Sequence, residues 1–167
     1  MIRAVLLLLL VALTGCGYHF AGQSGTLPGG VTRIQVPLFA NLSGEPQLEA
    51  RLTDHLVARF SRSRNMKLVA PEAAEAVLVG TIRSYRSASL SYVAGDQISQ
   101  YRATMVVDVL LQRVDSGEEL WRRTVQWSTD YAASADKTQQ WGQEQLAQDE
   151  LSQRLAAEIH SLLFDDF

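Results

Sequence analysis

The side chains best suited to catalysis or metal binding do not form a working set. His19, His55 and His160 are scattered, with neither HExxH spacing nor a paired Cys/His arrangement, so the usual metal-ligand patterns have no support. Gly22-Gln23-Ser24-Gly25 falls short of a G-x-S-x-G elbow and sits in a glycine-rich stretch, without the strand-turn-helix context that would expose a strained serine. Neither a P-loop nor G-x-G-x-x-G is present, which leaves no phosphate cradle. Asp149-Glu150 and Asp165-Asp166 read as solvated charges, and Asp108 falls on a polar strand face. Nothing combines nucleophile, base and oxyanion donors. The sequence therefore favours binding or assembly over catalysis, with no cofactor expected.

What remains is basic. Arg83, Arg86, Arg102, Arg122 and Arg123 fall on predicted strands, and Lys137 falls in the loop expected between the last strand and the last helix. Such charges ordinarily keep a sheet soluble and its edges apart. Their functional use would be pairing with lipid phosphates, to which arginine offers a planar bidentate fork and lysine a point charge. Arg59, Arg62 and Arg64 gather near the end of a predicted helix, where favourable interaction with its dipole accounts for them.

One further residue has chemistry of a different kind. Cys16 is the single cysteine of the chain, which rules out an intrachain disulfide. It follows Arg3, an apolar run over residues 4–13, and the small residues Thr14 and Gly15, the layout of a secretory signal. Leu13-Thr14-Gly15-Cys16 resembles the bacterial lipoprotein processing motif. This implies removal of residues 1–15 and a covalent N-acyl and S-diacylglycerol lipid on Cys16, which holds to a membrane because several acyl chains are buried together. Gly17 stands where lipoproteins of this kind retained at the inner membrane usually carry aspartate, so the outer membrane is the expected site. Residues 16–30 then read as a lipidated N-terminus and glycine-rich tether, with Tyr18 and Phe20 lying in the membrane interface or docking on the domain.

Composition sets the frame. The chain has 167 residues, 47% hydrophobic, with a formal net charge of −3. That is enough for one cored domain, expected over residues 31–167. The absence of a Lys/Arg-rich block argues against nucleic acid as a partner, and no apolar run reaches the roughly 18 residues of a membrane-spanning helix.

The elements follow from periodicity. Residues 31–36 are β-rich and stop at Pro37. Pro46 suits a first helical turn, and Leu48, Leu52, Leu56 and Phe60 make one apolar stripe on a helix to about Ser63. Residues 67–69 and 77–82 read as one strand interrupted by a small Pro71-containing insertion, parallel to the first strand through a right-handed crossover. Tyr101, Ala103, Met105, Val107, Val109 and Leu111 alternate with polar residues, and a turn at Asp115-Ser116-Gly117 leads into a partner strand with Trp121, Val125 and Trp127 in step. A longer hairpin joins the preceding strand to this one, its serine-rich arm projecting beyond the sheet. Asp136 or Thr138 caps a last helix carrying Trp141, Leu146, Leu151, Leu155, Ile159 and Leu162. The expected fold is α+β, a two-layer sandwich with a four-stranded mixed sheet and two helices on one face, in the order β-α-β-β-β-α.

Cys16-Gly17-Tyr18-His19-Phe20, Leu27-Pro28 before the first strand, Val36-Pro37, the helix from Gln47, Gly80-Thr81-Ile82, Gln100-Tyr101-Arg102 and the long closing helix together resemble the LptE family of lipopolysaccharide-assembly lipoproteins. The resemblance spans nearly the whole chain. It implies a non-enzymatic outer-membrane lipoprotein on the periplasmic side that plugs the β-barrel translocon LptD one-to-one, assists its assembly, and helps deliver lipopolysaccharide to the outer leaflet. It also implies basic lipopolysaccharide contacts, for which Lys137 matches the loop position. The hairpin tip, Tyr92-Val93-Ala94-Gly95, has no basic residue, and Arg86 or Arg102 would compensate. The competing expectation is a free outer-membrane lipoprotein acting as a lipid-binding or scaffold module.

Overall fold

The computed structural model describes residues 27–93 and 97–165. The chain runs β1 (Arg33–Gln35), β2 (Ala40–Asn41), α1 (Leu48–Phe60), β3 (Lys67–Leu68), β4 (Ala76–Val93), β5 (Gln97–Arg113), β6 (Glu119–Ala132) and α2 (Lys137–Asp165). Among the described residues these strands form one mixed sheet in the order β3-β1-β4-β5-β6, with β2 pairing β4 beside β1. Both helices pack on one face, as the apolar periodicities required. The strand count rises from the four expected to six because two short segments join the edge.

In α1 the four-residue stripe is fully realised: Leu48, Leu52, Leu56 and Phe60 are completely buried, each contributing about 2 kcal/mol of apolar burial. The helix stops at Phe60, three residues before the expected end, and Ser61 bonds back to Val57 through its N–H and its hydroxyl. Only Arg59 of the three arginines lies in the last turn; Arg62 and Arg64 lie beyond it, where the dipole account does not reach them.

Residues 67–82 do not form one interrupted strand. β3 pairs parallel with one side of β1, Arg33 against Lys67, while β4 pairs parallel with its other side, Ile34 against Ala76. The crossing is made by a 3-10 turn at Pro71–Ala73, where proline has no N–H to offer a ladder. Glu75 fastens the return. Its Oε2 accepts from the Thr32 N–H at 2.7 Å and the Arg33 N–H at 3.1 Å, and its Oε1 meets the Arg33 guanidinium at 2.9 Å. The two backbone donors, then the arginine charge, hold the Glu75 carboxyl below its usual range.

β4, β5 and β6 form a long antiparallel meander, and the predicted alternation of β5 holds along its length: Ala103, Met105, Val107, Val109 and Leu111 are buried. Gly80 is set by a close approach. A Cβ there would lie 2.0 Å from the Phe39 ring, which β2 lays across β4. On α2, Asp136 is the N-cap, its Oδ1 accepting from Thr138 and Gln139 N–H at 2.8 and 2.9 Å. Leu151, Leu155, Ile159 and Leu163 are buried, but Trp141 and Leu146 are 65% and 68% exposed. They were expected on the apolar stripe. The first half of the helix instead turns Glu144, Ala147 and Gln148 inward, where Tyr85 and the loop before α1 supply polar partners.

The end of the expected tether also belongs to the packed domain. Leu27 and Pro28 are buried, and the Gly29 carbonyl accepts from Arg113 Nη2 at 2.9 Å. Cys16 and the signal-like segment lie outside the described residues.

Candidate lipid-binding and docking surface

With both helices on one face, the other face of β4–β5–β6 is left uncovered by the described residues, and the strand alternation displays on it a mostly polar set together with the apolar Val79 and Leu110. The cross-strand register arranges it in rows: Val79, Leu110 and Arg122; Thr81, Asp108 and Thr124; Arg86, Thr104 and Ser128; Ala88, Arg102 and Asp130. Adjacent groups are already paired. Arg102 grips Asp130 with a bidentate fork, Nε to Oδ1 at 2.7 Å and Nη2 to Oδ2 at 2.8 Å, which pushes the Asp130 carboxyl down and the guanidinium up. Arg83, the extra residue of a bulge, meets Asp108 at 3.2 Å, and Thr124 donates to the other oxygen of that carboxylate at 2.8 Å. Arg122 is held by Glu119 at 2.6 Å.

Arg86 differs. It is exposed, and no carboxylate among the described residues pairs with it. It stands opposite Thr104, so Arg102 is its diagonal neighbour on the same face, a separation of roughly 7–8 Å that two long side chains can bridge over one phosphate. The structure thus brings Arg86 and Arg102 together. It does not bring Lys137 to them. Lys137 is the exposed first residue of α2, not a loop residue, and α2 lies on the opposite layer of the sheet.

Sequence reasoning missed a polar layer inside the sandwich. Tyr85 Oη donates to Glu144 Oε1 at 3.0 Å, Gln148 Nε2 donates to Glu45 Oε1 at 3.0 Å, and the Tyr131 and Ser87 hydroxyls lie 2.7 Å apart. Arg51 reaches Gln145 across the helix pair. Burial, reinforced by the Glu144 charge, pushes the Tyr85 phenol well above its usual range. The available signal was Glu144 and Gln148 at i, i+4 on the face expected to be apolar. This layer offers no reacting set, and no group of three or more metal-ligating side chains occurs among the described residues. No helix among them is long and apolar enough to cross a membrane.

A largely apolar helix-covered face with a polar layer at one level, and a charged, hydrogen-bonding open face, make this a two-layer α+β domain. The comparisons specify which. Residues 31–163 match the family pattern described as LptE, lipopolysaccharide-assembly, and the chain belongs to that family, a non-enzymatic family of assembly lipoproteins at the outer membrane. Among curated proteins none matches. Solved structures share the fold: rare lipoprotein B from Shewanella oneidensis (17% identity, 77% of this chain and 92% of that one, TM-score 0.53) and lipoprotein B from Nitrosomonas europaea (16%, 89% and 90%, 0.54). A minor lipoprotein from Acinetobacter baumannii is similar too (16%, 81% and 92%, 0.51).

Proposed function

We propose that this chain is the lipoprotein subunit of the lipopolysaccharide translocon, seated in the lumen of the β-barrel LptD and helping both to assemble that barrel and to pass lipopolysaccharide to the outer leaflet. The observation that carries the reading is the family match over residues 31–163, and the uncovered polar sheet face is compatible with it. Barrel interiors are polar, and a face of arginine, aspartate, threonine and serine can hydrogen-bond such a wall. The lipid on Cys16 tethers the domain, residues 31–167, to the periplasmic side of the outer membrane.

For lipopolysaccharide itself, Arg86 and Arg102 form the favoured contact. Arg86 brings a guanidinium that no carboxylate among the described residues pairs, and Arg102 retains donors beyond its fork on Asp130. Lys137 is a separate contact on the helix layer. A C-terminal tag pull-down from detergent-solubilised outer membranes tests the assembly, with native mass spectrometry of what stays bound. One large barrel at one-to-one stoichiometry is expected. Recovery of the lipoprotein alone, in detergents that preserve other barrel complexes, overturns it in favour of a free lipid-binding or scaffold lipoprotein. Unchanged lipopolysaccharide binding by a Lys137→Glu, Arg102→Glu double variant removes both residues from the site, and labelled fatty acid entering a Cys16→Ala chain removes Cys16 as the acceptor.

A further inference from the structure

Among the described residues β6 pairs only with β5, so a strand of 14 residues presents an open edge. Which of its backbone groups face outward follows from the ladder. Leu42 N–H donates to Ile82 O, so Ile82 faces β2 and its neighbour Thr81 faces β5. Thr81 pairs Asp108, so Val107 and Val109 face β6 and meet Val125 and Arg123. Residues 122, 124, 126, 128 and 130 therefore turn their N–H and C=O groups away from the sheet. Two independent bonds agree: Ala133 N–H reaches Ser99 O, and the Arg122 carbonyl accepts from Arg123 Nη1 at 2.9 Å, a side chain folded over the edge.

We propose that this edge pairs with the same edge of a second copy of the chain, antiparallel, about a two-fold axis at Gln126. That register aligns outward groups with outward groups from 122 to 130 and allows about ten backbone hydrogen bonds. Charge selects it. Arg122, paired within its own chain to Glu119, comes opposite Asp130 of the second copy, itself paired to Arg102, so that the two ion pairs join in one alternating network; Thr124 comes opposite Ser128 of the second copy, and no like charges oppose each other. Shifting by two residues either way sets Arg122 against Ser128 or Ala132 and leaves Asp130 against Leu120 or Thr124. On the helix-covered face, Trp127 is 39% exposed and comes opposite Val125 of the second copy. Arg123 comes opposite Thr129, which donates to Glu150 at 2.9 Å, so a cation meets a carboxylate there too. Leu146, 68% exposed and one turn before Glu150 on α2, flanks the same seam. On pairing, the Asp130 N–H of the second copy takes over the Arg122 carbonyl from the Arg123 guanidinium. The inference does not depend on the barrel reading, since it concerns the lipoprotein apart from any other partner.

The test is crosslinking and sedimentation of the full chain purified in mild detergent. In a hydrogen-bonded antiparallel pair the two Cα atoms at position 126 lie about 5.5 Å apart, within disulfide range. A Gln126→Cys chain should give a disulfide-linked dimer on mild oxidation. Ser116→Cys, at the exposed β5–β6 turn, should not, and wild type in parallel reports any crosslink through Cys16. Gln126→Pro removes only an outward N–H, which leaves the β5 pairing intact, and should weaken self-association at least about tenfold in sedimentation equilibrium. Wild-type chain that stays monomeric at high micromolar concentration overturns the proposal. So does equal crosslinking at 116 and 126, or an unchanged dimer in Gln126→Pro.

Discussion

Gly80→Ala tests the packing of β2 on β4, because the added methyl has no space to enter. Its Cβ would stand 2.0, 2.2 and 2.4 Å from three atoms of the Phe39 ring, far inside contact distance. The ring cannot easily yield: Phe39 is buried, its backbone N–H is bonded to Thr53 Oγ1 at 3.1 Å, and the next residue, Ala40, pairs with Thr81. If the ring shifts within the core, overpacking costs about 1–3 kcal/mol. If it is expelled, the loss approaches the roughly 3–5 kcal/mol of a Phe→Ala change. Replacing glycine in a strand returns about 0.5–1 kcal/mol of backbone entropy, so the net loss is about 0–2.5 kcal/mol if the ring shifts and about 2–4.5 kcal/mol if it is expelled, the latter large against the 5–15 kcal/mol of a typical domain. Urea unfolding followed by tryptophan fluorescence measures it. The decisive comparison is a double-mutant cycle with Phe39→Ala, since removing the ring makes room for the methyl and the two losses should fall well short of additive. A net gain in stability from Gly80→Ala, or strict additivity in the cycle, would refute the close-approach argument.

Other expectations concern charge, capping and exposure. The Glu75 carboxyl is depressed below its ordinary value of 4.5, so its stabilisation is complete at neutral pH, declines as pH falls below the unfolded value, and disappears below the folded one. Wild type and Glu75→Gln should therefore differ in urea midpoint at pH 7 and converge in acid; a constant difference would place the effect in side-chain shape. Asp136→Ala removes the bonds to Thr138 and Gln139 N–H and should cost about 1 kcal/mol, with hydrogen exchange rising first in the opening turn of α2. Trp141→Ala should change stability by less than about 0.5 kcal/mol, whereas Leu155→Ala, fully buried, should cost about 2–5 kcal/mol; equal losses would contradict the exposure pattern.

Much of the molecule was legible in residue order. The alternation in β5, the four-residue stripe of α1 and the Asp136 cap are local patterns, because side-chain direction repeats with the backbone itself. The lipoprotein-like junction at Cys16 is also local, and the family resemblance, which the match over residues 31–163 supports, needed only the string. Placement was not legible. Residues 67–82 looked like one strand, yet the chain crosses from one side of β1 to the other, because either side satisfies the same β-rich sequence and only the Pro71 turn and the Glu75 bonds to Thr32 and Arg33 choose. Trp141 and Leu146 have the spacing of core residues, but whether a helical face meets apolar or polar neighbours depends on what lies beneath it. At that level Tyr85 and Glu45 lie beneath, and the helix turns Glu144 and Gln148 toward them.

The basic residues divide in the same way. Arg86, Arg102 and Lys137 could be nominated from type alone. Strand register made diagonal neighbours of the first two, a neighbouring aspartate occupied Arg102, and the helix layer set Lys137 apart. Sequence by itself determined the apolar stripe of α1 and the alternation of β5, since those depend on one backbone's own repeat. The tertiary structure decided which charges are neighbours and which strand edge stays open, since hydrogen-bond partners and ion pairs are contacts between segments far apart in the chain.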